Sequence, residues 1–401
     1  MSAMSLLGNI KMNLNWYVEG YLVDLQRLPG NHMRKTIHVA FCIDDAFAIH
    51  LAALIYSLGK HLNHDFQLMC HILGRLNEQN IFKLSALVSK NTNIQFYDKF
   101  PDYKNIPISD LYNNRLNEVT YYRFAIPEAL HNIEKVLFID ADMIAVGNIS
   151  SLWSIDMGDA VVAVVLDHIL GFDKDKQQKR GISIGRYFNA GFMLMDLVKW
   201  RANNISQKAL DLLIENNGFE HNDQDALNIV LENRTFYLDC KWNAQPNHIN
   251  RVGSLEPVLV HFCGQEKPWH ISSIHPYTEH YRICRAKTLY SNEALECFLD
   301  NDDYRLLSQL LAIFPMGGKL AIWGCGQRGR RLCHYLQSNH PDYILVYFID
   351  KNIHGKFLGM KIYNSVQLDE KVDAIIVASI PYRNEIVAEI ENSAAAGIIV
   401  I

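Results

Sequence analysis

The sequence lacks features that mark several classes of protein. Its eight cysteines, at positions 42, 70, 240, 263, 284, 297, 325 and 333, include no Cys-x-x-Cys pair, so neither a disulfide scaffold nor a cysteine-based zinc site is indicated. No apolar run reaches the ~20 residues that a membrane-spanning helix needs, and the N-terminal residues lack the apolar core of a signal peptide. These absences favour a cytoplasmic protein with reduced thiols.

An excess of basic residues is also missing. The formal net charge is -5, with 38 Lys and Arg against 43 Asp and Glu, so a nucleic acid partner is not expected. About half of the residues are apolar (49%) and 20% are charged, which lets apolar burial offset the entropy lost on ordering the chain. We therefore expect two or three folded domains in the 401 residues.

Changes in pattern divide the chain into four parts. Residues 1–33 form an N-terminal extension, and residues 34–283 alternate short apolar strands with amphipathic helices. Residues 284–315 are predicted to be a helical linker, and residues 316–401 begin again with the strand-like KLAIW. Alternating strands and helices are typical of an α/β fold with a mostly parallel sheet, in which ligands bind at the carboxyl ends of the strands.

The motif with the clearest chemistry is KVLFIDADMIAV. The apolar run Val136–Ile139 predicts a buried strand, and Asp140 and Asp142 follow at its end, separated by Ala141. Two carboxylates in this position suit a hard cation such as Mn²⁺ or Mg²⁺. Such a cation can bridge the phosphates of a nucleotide-sugar and stabilise the charge of the departing diphosphate. Because an Asp-x-Asp tripeptide is also common in solvated turns, the motif needs support from the rest of the chain.

Six blocks of sequence supply that support, because the blocks and their order along the chain resemble those of glycosyltransferase family 8. The resemblance covers about residues 36–272. The blocks are FCIDDAFAIHLAALIYSL, TYYRFAIPEALHNIEKVLFIDADMIAVGNISSLW, YFNAGFMLMDLVKWR, HNDQDALN, WNAQPN and VHFCGQEKPWH. The resemblance implies a GT-A type nucleotide-sugar-binding α/β fold with a mostly parallel central sheet.

The family also implies an activity. A retaining enzyme of this family would move glucose or galactose from a UDP-sugar to a glycan or glycolipid acceptor. The nearest family members act in bacterial lipopolysaccharide or surface-polysaccharide synthesis, so at most peripheral contact with the inner face of the cell membrane is expected. Two alternatives remain for the whole chain, namely a non-catalytic nucleotide-sugar-binding protein and a dinucleotide-binding enzyme that acts through the C-terminal domain.

Residue by residue, the resemblance first implies a metal and diphosphate site. Asp140, Asp142 and His261 would coordinate Mn²⁺, with Mg²⁺ as the alternative ion. Gly264 and Lys267 of VHFCGQEKPWH would bind the donor diphosphate, because glycine lets the backbone approach a phosphate and lysine supplies a point charge.

Other residues are assigned to the donor in the same way. Asp44 and Asp45 match positions that bind the uracil and ribose, consistent with carboxylates that accept hydrogen bonds from ring N–H and hydroxyl groups. The remaining donor contacts are Arg123, Ala141, Asn189, Ala190 and Gly191. For Arg123, an ordinary ion pair in a helix is the alternative interpretation.

Asp223 and Gln224 of HNDQD match catalytic positions beside the donor sugar. Glutamine is a weak nucleophile compared with the carboxylate of retaining hydrolases. We therefore expect the acceptor to attack from the face of the leaving group, with the departing phosphate helping to remove its proton. Gln224 would then stabilise the positive charge that develops on the sugar.

A second glycine-rich motif lies in residues 316–401. Gly324, Gly326 and Gly329 have Gly-x-Gly-x-x-Gly spacing between a strand and the start of a helix, and Asp350 ends the next strand. This context predicts a small Rossmann-like α/β domain with a second candidate nucleotide site. The segment is expected to supply about four strands, which is half of a full dinucleotide domain. Nucleotide or nucleotide-sugar binding, a structural role and NAD chemistry all remain open for it.

Overall fold

The computed structural model describes residues 34–108, 117–182, 184–251, 256–367, 370–392 and 398–401. Thr36–Ile401 belong to one compact unit. The predicted N-terminal extension, residues 1–33, lies outside the described residues. Among the residues that are described, no helix is both long enough and apolar enough to cross a lipid bilayer.

In the described residues up to His261, nine strands form the first part of the fold. They are β1 (Lys35–Cys42), β2 (Phe66–Leu73), β3 (Thr92–Tyr97), β4 (Lys135–Ile139), β5 (Met143–Ala145), β6 (Val162–Leu166), β7 (Phe188–Asp196), β8 (Thr235–Tyr237) and β9 (Leu259–His261). Seven of them make a sheet in the order β3-β2-β1-β4-β7-β6-β8, and β5 pairs separately with β9. β2 and β3, β1 and β4, and β6 and β8 are parallel, whereas β7 is antiparallel to both β4 and β6.

The large sheet is buried on both faces. Within β4, Leu137 and Ile139 join one apolar core, and Val136 and Phe138 join a second, because successive side chains of a strand point to opposite faces. Burial on both faces explains why the strand has a continuous apolar run. The α-helices of this part are Ala48–His61, Glu78–Ser85, Ile126–Ala129, Lys174–Lys179, Leu197–Ala202, Ile205–Glu215, Asn222–Val230, Pro246–Arg251 and Thr278–Arg285.

The predicted mostly parallel α/β fold is confirmed, and β7 is its exception. Asn189–Gly191 lie inside β7. Since β7 runs opposite to β4, its first residues lie beside the end of β4, with Phe192 opposite Ile139. The N–H of Asp140 then donates to the carbonyl of Gly191 at 2.8 Å. The antiparallel strand therefore brings the YFNAG block to the Asp-x-Asp motif.

A second sheet follows in the C-terminal residues. Its strands are β10 (Gly318–Trp323), β11 (Tyr343–Ile349), β12 (Gly355–Phe357), β13 (Met360–Tyr363), β14 (Ala374–Val377) and β15 (Ile399–Val400). They lie in the order β12-β13-β11-β10-β14-β15, and only the β12–β13 pairing is antiparallel. The helices Gln327–Asn339 and Arg383–Glu391 pass between strands. Among the described residues this sheet has six strands rather than the expected four, because β12 and β13, of three and four residues, are too short to be recognised from an apolar pattern.

The segment predicted to be a helical linker is only partly helical. Residues 286–300 form turns and short extended stretches, and the helix Asn301–Ile313 begins where Asp300 and Asp303 form a capping box. The prediction was therefore wrong for residues 286–300, and the helix begins only at the capping box. Leucines of this helix also pack into the core of the C-terminal sheet, namely Leu306, Leu307 and Leu310.

Candidate active site

Three candidate metal ligands converge at the end of β4. Asp140 directly follows β4 and Asp142 directly precedes β5. β5 pairs with β9 so that Met143 lies opposite His261, which carries this histidine to the Asp-x-Asp motif. One ligand atom from each of Asp140, Asp142 and His261 lies within 4.8 Å of the others. Two carboxylates and one imidazole nitrogen form a donor set that fits a divalent cation such as Mn²⁺.

Gly191 leaves the space that this cluster requires. A Cβ at position 191 would lie 2.5 Å from His261 Cε1 and 2.6 Å from Asp140 Oδ2. Real side chains do not tolerate such contacts, so any other residue would push the two ligands away. The glycine of the YFNAG block is therefore required for the candidate metal ligands to approach one another.

Asn243 orients the imidazole of His261, and the sequence assigned it no role. Asn243 Nδ2 donates to Asn189 Oδ1 at 3.0 Å, so Asn243 Oδ1 is left to accept from His261 Nδ1, also at 3.0 Å. In a neutral imidazole this arrangement puts the proton on Nδ1 and leaves Nε2, which faces Asp142 Oδ1, without a proton and able to bind a cation. The only signal for Asn243 was its place in the block WNAQPN.

Within this cluster, Asp142 lies closest to a positively charged side chain. Lys267 Nζ lies 2.6 Å from Asp142 Oδ2, and His261 Nε2 lies 3.2 Å from Asp142 Oδ1. Burial works to raise the pKa of Asp142, but Lys267 and His261 outweigh it and hold this pKa well below its usual range. Asp142 is therefore a carboxylate at neutral pH.

Arg123 joins two further carboxylates of the site. Its Nη1 lies 2.8 Å from Asp223 Oδ2, and its Nη2 lies 3.2 Å from Asp140 Oδ1. Nη1 also donates to the carbonyl of Ala190 at 2.9 Å. The residue is 7% exposed. The ion-pair interpretation of Arg123 therefore holds, and both of its partners are predicted site residues.

One guanidinium, that of Arg123, lies between two carboxylates. Burial raises the pKa of Asp140 and that of Asp223, and the Arg123 guanidinium opposes both shifts. Asp223 Oδ1 also accepts from the hydroxyl of Thr120 at 2.5 Å. Without Arg123, the buried Asp223 and the partly exposed Asp140 would lose their main positive neighbour.

Gln224 is fixed by hydrogen bonds at both ends of its amide. Its Oε1 accepts from the N–H of Ala190 at 2.9 Å and from Asn189 Nδ2 at 3.2 Å. Its Nε2 donates to the hydroxyl of Tyr187 at 3.2 Å, which in turn donates to Asp225. The amide lies at the first turn of the helix Asn222–Val230, so its dipole has one orientation.

The residues assigned to the nucleoside differ in their contacts. Asp44 Oδ2 accepts from Asn117 Nδ2 at 2.8 Å, and Asn117 caps the 3₁₀ helix that carries Arg123. Asp45 Oδ1 instead accepts from the N–H of Asn77 at 2.9 Å and from Asn80 Nδ2 at 2.8 Å. Asp44 is thus connected to the Arg123 segment, whereas the Asp45 carboxylate contacts the start of the helix Glu78–Ser85.

Gly264 lies between His261 and Lys267 with φ of +93°. This backbone conformation favours glycine because a Cβ would be strained there. Ala141 is buried between the two aspartates, at 6% exposure. The structure therefore brings together the candidate metal ligands, Lys267 and the first residues of β7. Gly324, Gly326, Gly329 and Asp350 instead line a separate cavity at the C-terminal sheet.

Comparisons with known proteins match this arrangement. The family described as "Glycosyl transferase family 8" matches residues 38–272. "General stress protein A" of Bacillus subtilis (strain 168) is 28% identical over 272 residues, which are 62% of this chain and 93% of that protein. "Lipopolysaccharide 1,2-glucosyltransferase" of Escherichia coli (strain K12) is 24% identical over 300 residues, which are 67% of this chain and 83% of that protein.

A solved structure has the same fold over this region. It is the galactosyltransferase LgtC in complex with donor and acceptor sugar analogs, with a TM-score of 0.56 and 24% sequence identity. The match covers 67% of this chain and 99% of that chain. The likeness confirms a GT-A type fold for this part of the chain.

Proposed function

The chain belongs to glycosyltransferase family 8, and from this premise we propose that Asp140, Asp142 and His261 bind Mn²⁺ together with the diphosphate of a UDP-sugar donor. One observation carries the proposal: three ligand atoms of suitable chemistry lie within 4.8 Å of one another, with the ammonium of Lys267 beside them. When bound, a divalent cation stabilises the negative charge that grows on the departing diphosphate. Mg²⁺ is the alternative ion.

The proposed reaction transfers glucose or galactose with retention of configuration. The acceptor is a glycan or glycolipid in the synthesis of bacterial lipopolysaccharide or another surface polysaccharide. This choice is supported by the similarity to a lipopolysaccharide 1,2-glucosyltransferase and to the galactosyltransferase LgtC. A glycolipid acceptor would place transfer at the inner face of the cell membrane, with only peripheral contact.

The residues of the chain would divide the work by position. Lys267 and the backbone at Gly264 bind the diphosphate, and Asp44 and Asp45 bind the nucleoside. Of these two, the Asp44 carboxylate lies closer to the Arg123 segment, through Asn117. Lys267 supplies a positive charge that is already held in place by Asp142.

The donor sugar would lie against the first residues of β7 and the start of the helix Asn222–Val230. Asn189, Ala190 and Gly191 line it from β7, while Arg123 holds Asp223 in position. The amide of Gln224 is fixed before any ligand binds, so its oxygen can stabilise positive charge on the sugar without reorganising. The acceptor then attacks from the face of the leaving group.

Thermal unfolding and UDP release test the proposal together. UDP with Mn²⁺ should raise Tm, and the rise should disappear in EDTA, because a ligand of the native state stabilises it by mass action. A panel of UDP-sugars with Mn²⁺ identifies the donor by the rate of UDP release. Asp142→Asn should lose both effects, whereas Asp159→Asn, which changes an exposed aspartate outside the site, should keep them.

Each alternative has its own outcome in these experiments. Mn²⁺-dependent binding of UDP with no turnover of any UDP-sugar would indicate a non-catalytic nucleotide-sugar-binding protein. A rise in Tm with NAD and none with UDP and Mn²⁺ would favour a dinucleotide-binding enzyme. Normal Mn²⁺-stimulated turnover in Asp142→Asn would contradict the metal assignment.

A further inference from the structure

A cavity of about 360 Å³ lies in the C-terminal sheet, outside the family match. It opens where three parallel strands end, since its lining follows β10, β11 and β14. β11 and β14 lie on opposite sides of β10. The chain therefore crosses from β10 to β11 on one side, and β14 is added to the sheet on the other side. Openings of this kind are where parallel α/β sheets bind ligands.

The start of a helix forms one wall of the cavity. The helix Gln327–Asn339 has Gly326 as its N-cap, and no side chain of the described residues caps its first turn. The first N–H groups of a helix have no partner within the helix, and its dipole places positive potential there. This wall of the cavity therefore favours an anion.

The three glycines of the motif have different reasons to be glycine. Gly324 has φ of +107°, and a Cβ at Gly329 would lie 1.8 Å from the carbonyl oxygen of Gly324, so the fold itself requires both. Gly326 has an ordinary φ of -74°, and a Cβ there would meet no described atom within 4 Å. Glycine is an ordinary N-cap residue, and the open space at Gly326 leaves room for a ligand to approach the backbone there.

A fixed positive charge lines the same cavity. Arg328 is one of the lining residues, and its Nε donates to Asp303 Oδ1 at 2.6 Å. The Asp303 side chain is 0% exposed, and that of Arg328 is 15% exposed. A buried carboxylate therefore holds the guanidinium beside the start of the helix.

The hydrogen bonds of Asp350 indicate a ligand smaller than a dinucleotide. In dinucleotide sites the acidic residue after the second strand binds ribose hydroxyls. Here Asp350 Oδ2 accepts from the N–H of Cys325 at 2.8 Å, and Oδ1 accepts from those of Asn352 and Ile353 at 2.9 Å each. Most of the hydrogen-bonding capacity of this carboxylate is used by the fold. The cavity volume is also near the lower end of the range for ligand pockets.

We propose that this cavity binds the diphosphate group of a single nucleotide, either a free nucleoside diphosphate or the same group within a nucleotide-sugar. The anion lies at the first turn of the helix Gln327–Asn339, against the backbone of Gly326 and beside Arg328. The site contains no cluster of carboxylates, among the lining residues, that would demand a metal ion. Binding here is therefore independent of the Asp140 site and needs no divalent cation.

Gly326→Asp in the full chain separates ligand binding from folding. Aspartate is a favourable N-cap residue, so Tm without nucleotide should stay the same or rise. The new carboxylate fills the open space at the helix start and repels a phosphate, so binding should weaken at least about tenfold. Gly185→Asp is the matched control, because a Cβ at Gly185 also meets no described atom within 4 Å.

The measurement is the Tm of each variant in EDTA with UDP, ADP, UDP-glucose or NAD. We expect UDP or ADP to raise Tm of the unmodified protein and of Gly185→Asp, but not of Gly326→Asp. A response to UDP-glucose as well would show that the nucleotide-sugar is also accepted. Binding retained in Gly326→Asp but lost in Asp142→Asn would belong to the first site and overturn the proposal, as would no response to UDP or ADP. A response to NAD alone would overturn the ligand class.

Discussion

Lys267 and Asp142 form a direct ion pair, with 2.6 Å between Lys267 Nζ and Asp142 Oδ2. Asp142 Oδ1 lies 3.2 Å from His261 Nε2, so the proposed diphosphate ligand and two proposed metal ligands share one charged cluster. The two functions are therefore coupled. A change that removes the ammonium should alter metal binding as well as diphosphate binding.

Lys267→Ala tests this coupling. The variant removes the main positive neighbour of Asp142, so the pKa of Asp142 should rise and protons should compete with Mn²⁺ at higher pH than in the unmodified protein. We expect a higher KM for the UDP-sugar, and a Mn²⁺ requirement that increases as pH falls from 7 to 5. UDP release against Mn²⁺ concentration at several pH values measures both effects. Lys267→Arg keeps the charge, so its Mn²⁺ dependence should lie between those of the unmodified protein and Lys267→Ala. An unchanged Mn²⁺ dependence in Lys267→Ala would refute the coupling.

Arg123→Ala should destabilise the fold as well as reduce activity. It leaves the buried Asp223 and the partly exposed Asp140 without their cation, and breaking a buried ion pair such as that with Asp223 costs about 3–5 kcal/mol. Urea denaturation measures the change in the free energy of unfolding. Arg123→Lys keeps the charge but not the planar fork, so an intermediate loss is expected. A variant that loses activity at unchanged stability would mean that Arg123 only contacts ligand.

Gln224→Ala should separate catalysis from donor binding. The amide is fixed by Ala190, Asn189 and Tyr187, and removing such a preorganised dipole typically lowers kcat by about 10²–10³. The affinity for UDP with Mn²⁺ should change little, because the diphosphate ligands stay in place. Steady-state kinetics and UDP titration measure the two quantities. Equal losses in both would assign Gln224 to donor binding instead.

Asn243→Ala should weaken Mn²⁺ binding without removing a ligand. The imidazole of His261 would lose the acceptor that fixes its Nδ1, and changes to such supporting residues typically cost about 10–100-fold in metal affinity. Isothermal titration with Mn²⁺ in the presence of UDP measures this affinity. Asn216→Ala, which alters an exposed asparagine at a helix end, serves as the control. If both variants bind Mn²⁺ like the unmodified protein, Asn243 has no role in holding His261.

The surroundings of His71 indicate that the protein loses stability in acid. Its Nε2 lies 2.9 Å from His38 Nδ1, and its Nδ1 lies 2.9 Å from the hydroxyl of Tyr97. Burial, aided by His38, lowers the pKa of His71 to about 3, whereas an unfolded histidine has a pKa near 6.5. Between these two values the unfolded chain binds a proton that the native protein does not, so the free energy of unfolding falls as pH is lowered.

His71→Gln should reduce this pH dependence, because glutamine can donate and accept but does not titrate. From pH 7 to pH 5, the unmodified protein should lose about 2 kcal/mol more than the variant. Urea denaturation at the two pH values gives the comparison. His64→Gln changes a histidine whose side chain is 89% exposed and should behave like the unmodified protein. Equal losses in all three proteins would contradict the role of His71.

The success of the sequence predictions depended on how local each feature is. The run Val136–Ile139 and the two aspartates after it are adjacent in the chain, so their position at a strand end was predictable and is confirmed. The linker prediction failed because the helical preferences of residues 286–300 are weak enough for turns to form there instead. The helix begins only after the cap at Asp300. Asn243 was missed because its partners, Asn189 and His261, come from two distant strands.

By itself, the sequence determined the α/β alternation, the Asp-x-Asp motif at a strand end and the resemblance to family 8, because apolar periodicity and motif order are properties of neighbouring residues. Tertiary structure alone decided that β5 pairs with β9 to bring His261 to Asp142, and that β7 runs antiparallel to place Gly191 against both ligands. It also decided that Gly326 faces open space whereas Gly329 is packed against backbone. The physical reason is that strand register and packing distance arise from contacts between residues far apart in the chain, and these contacts form only when the two cores are assembled.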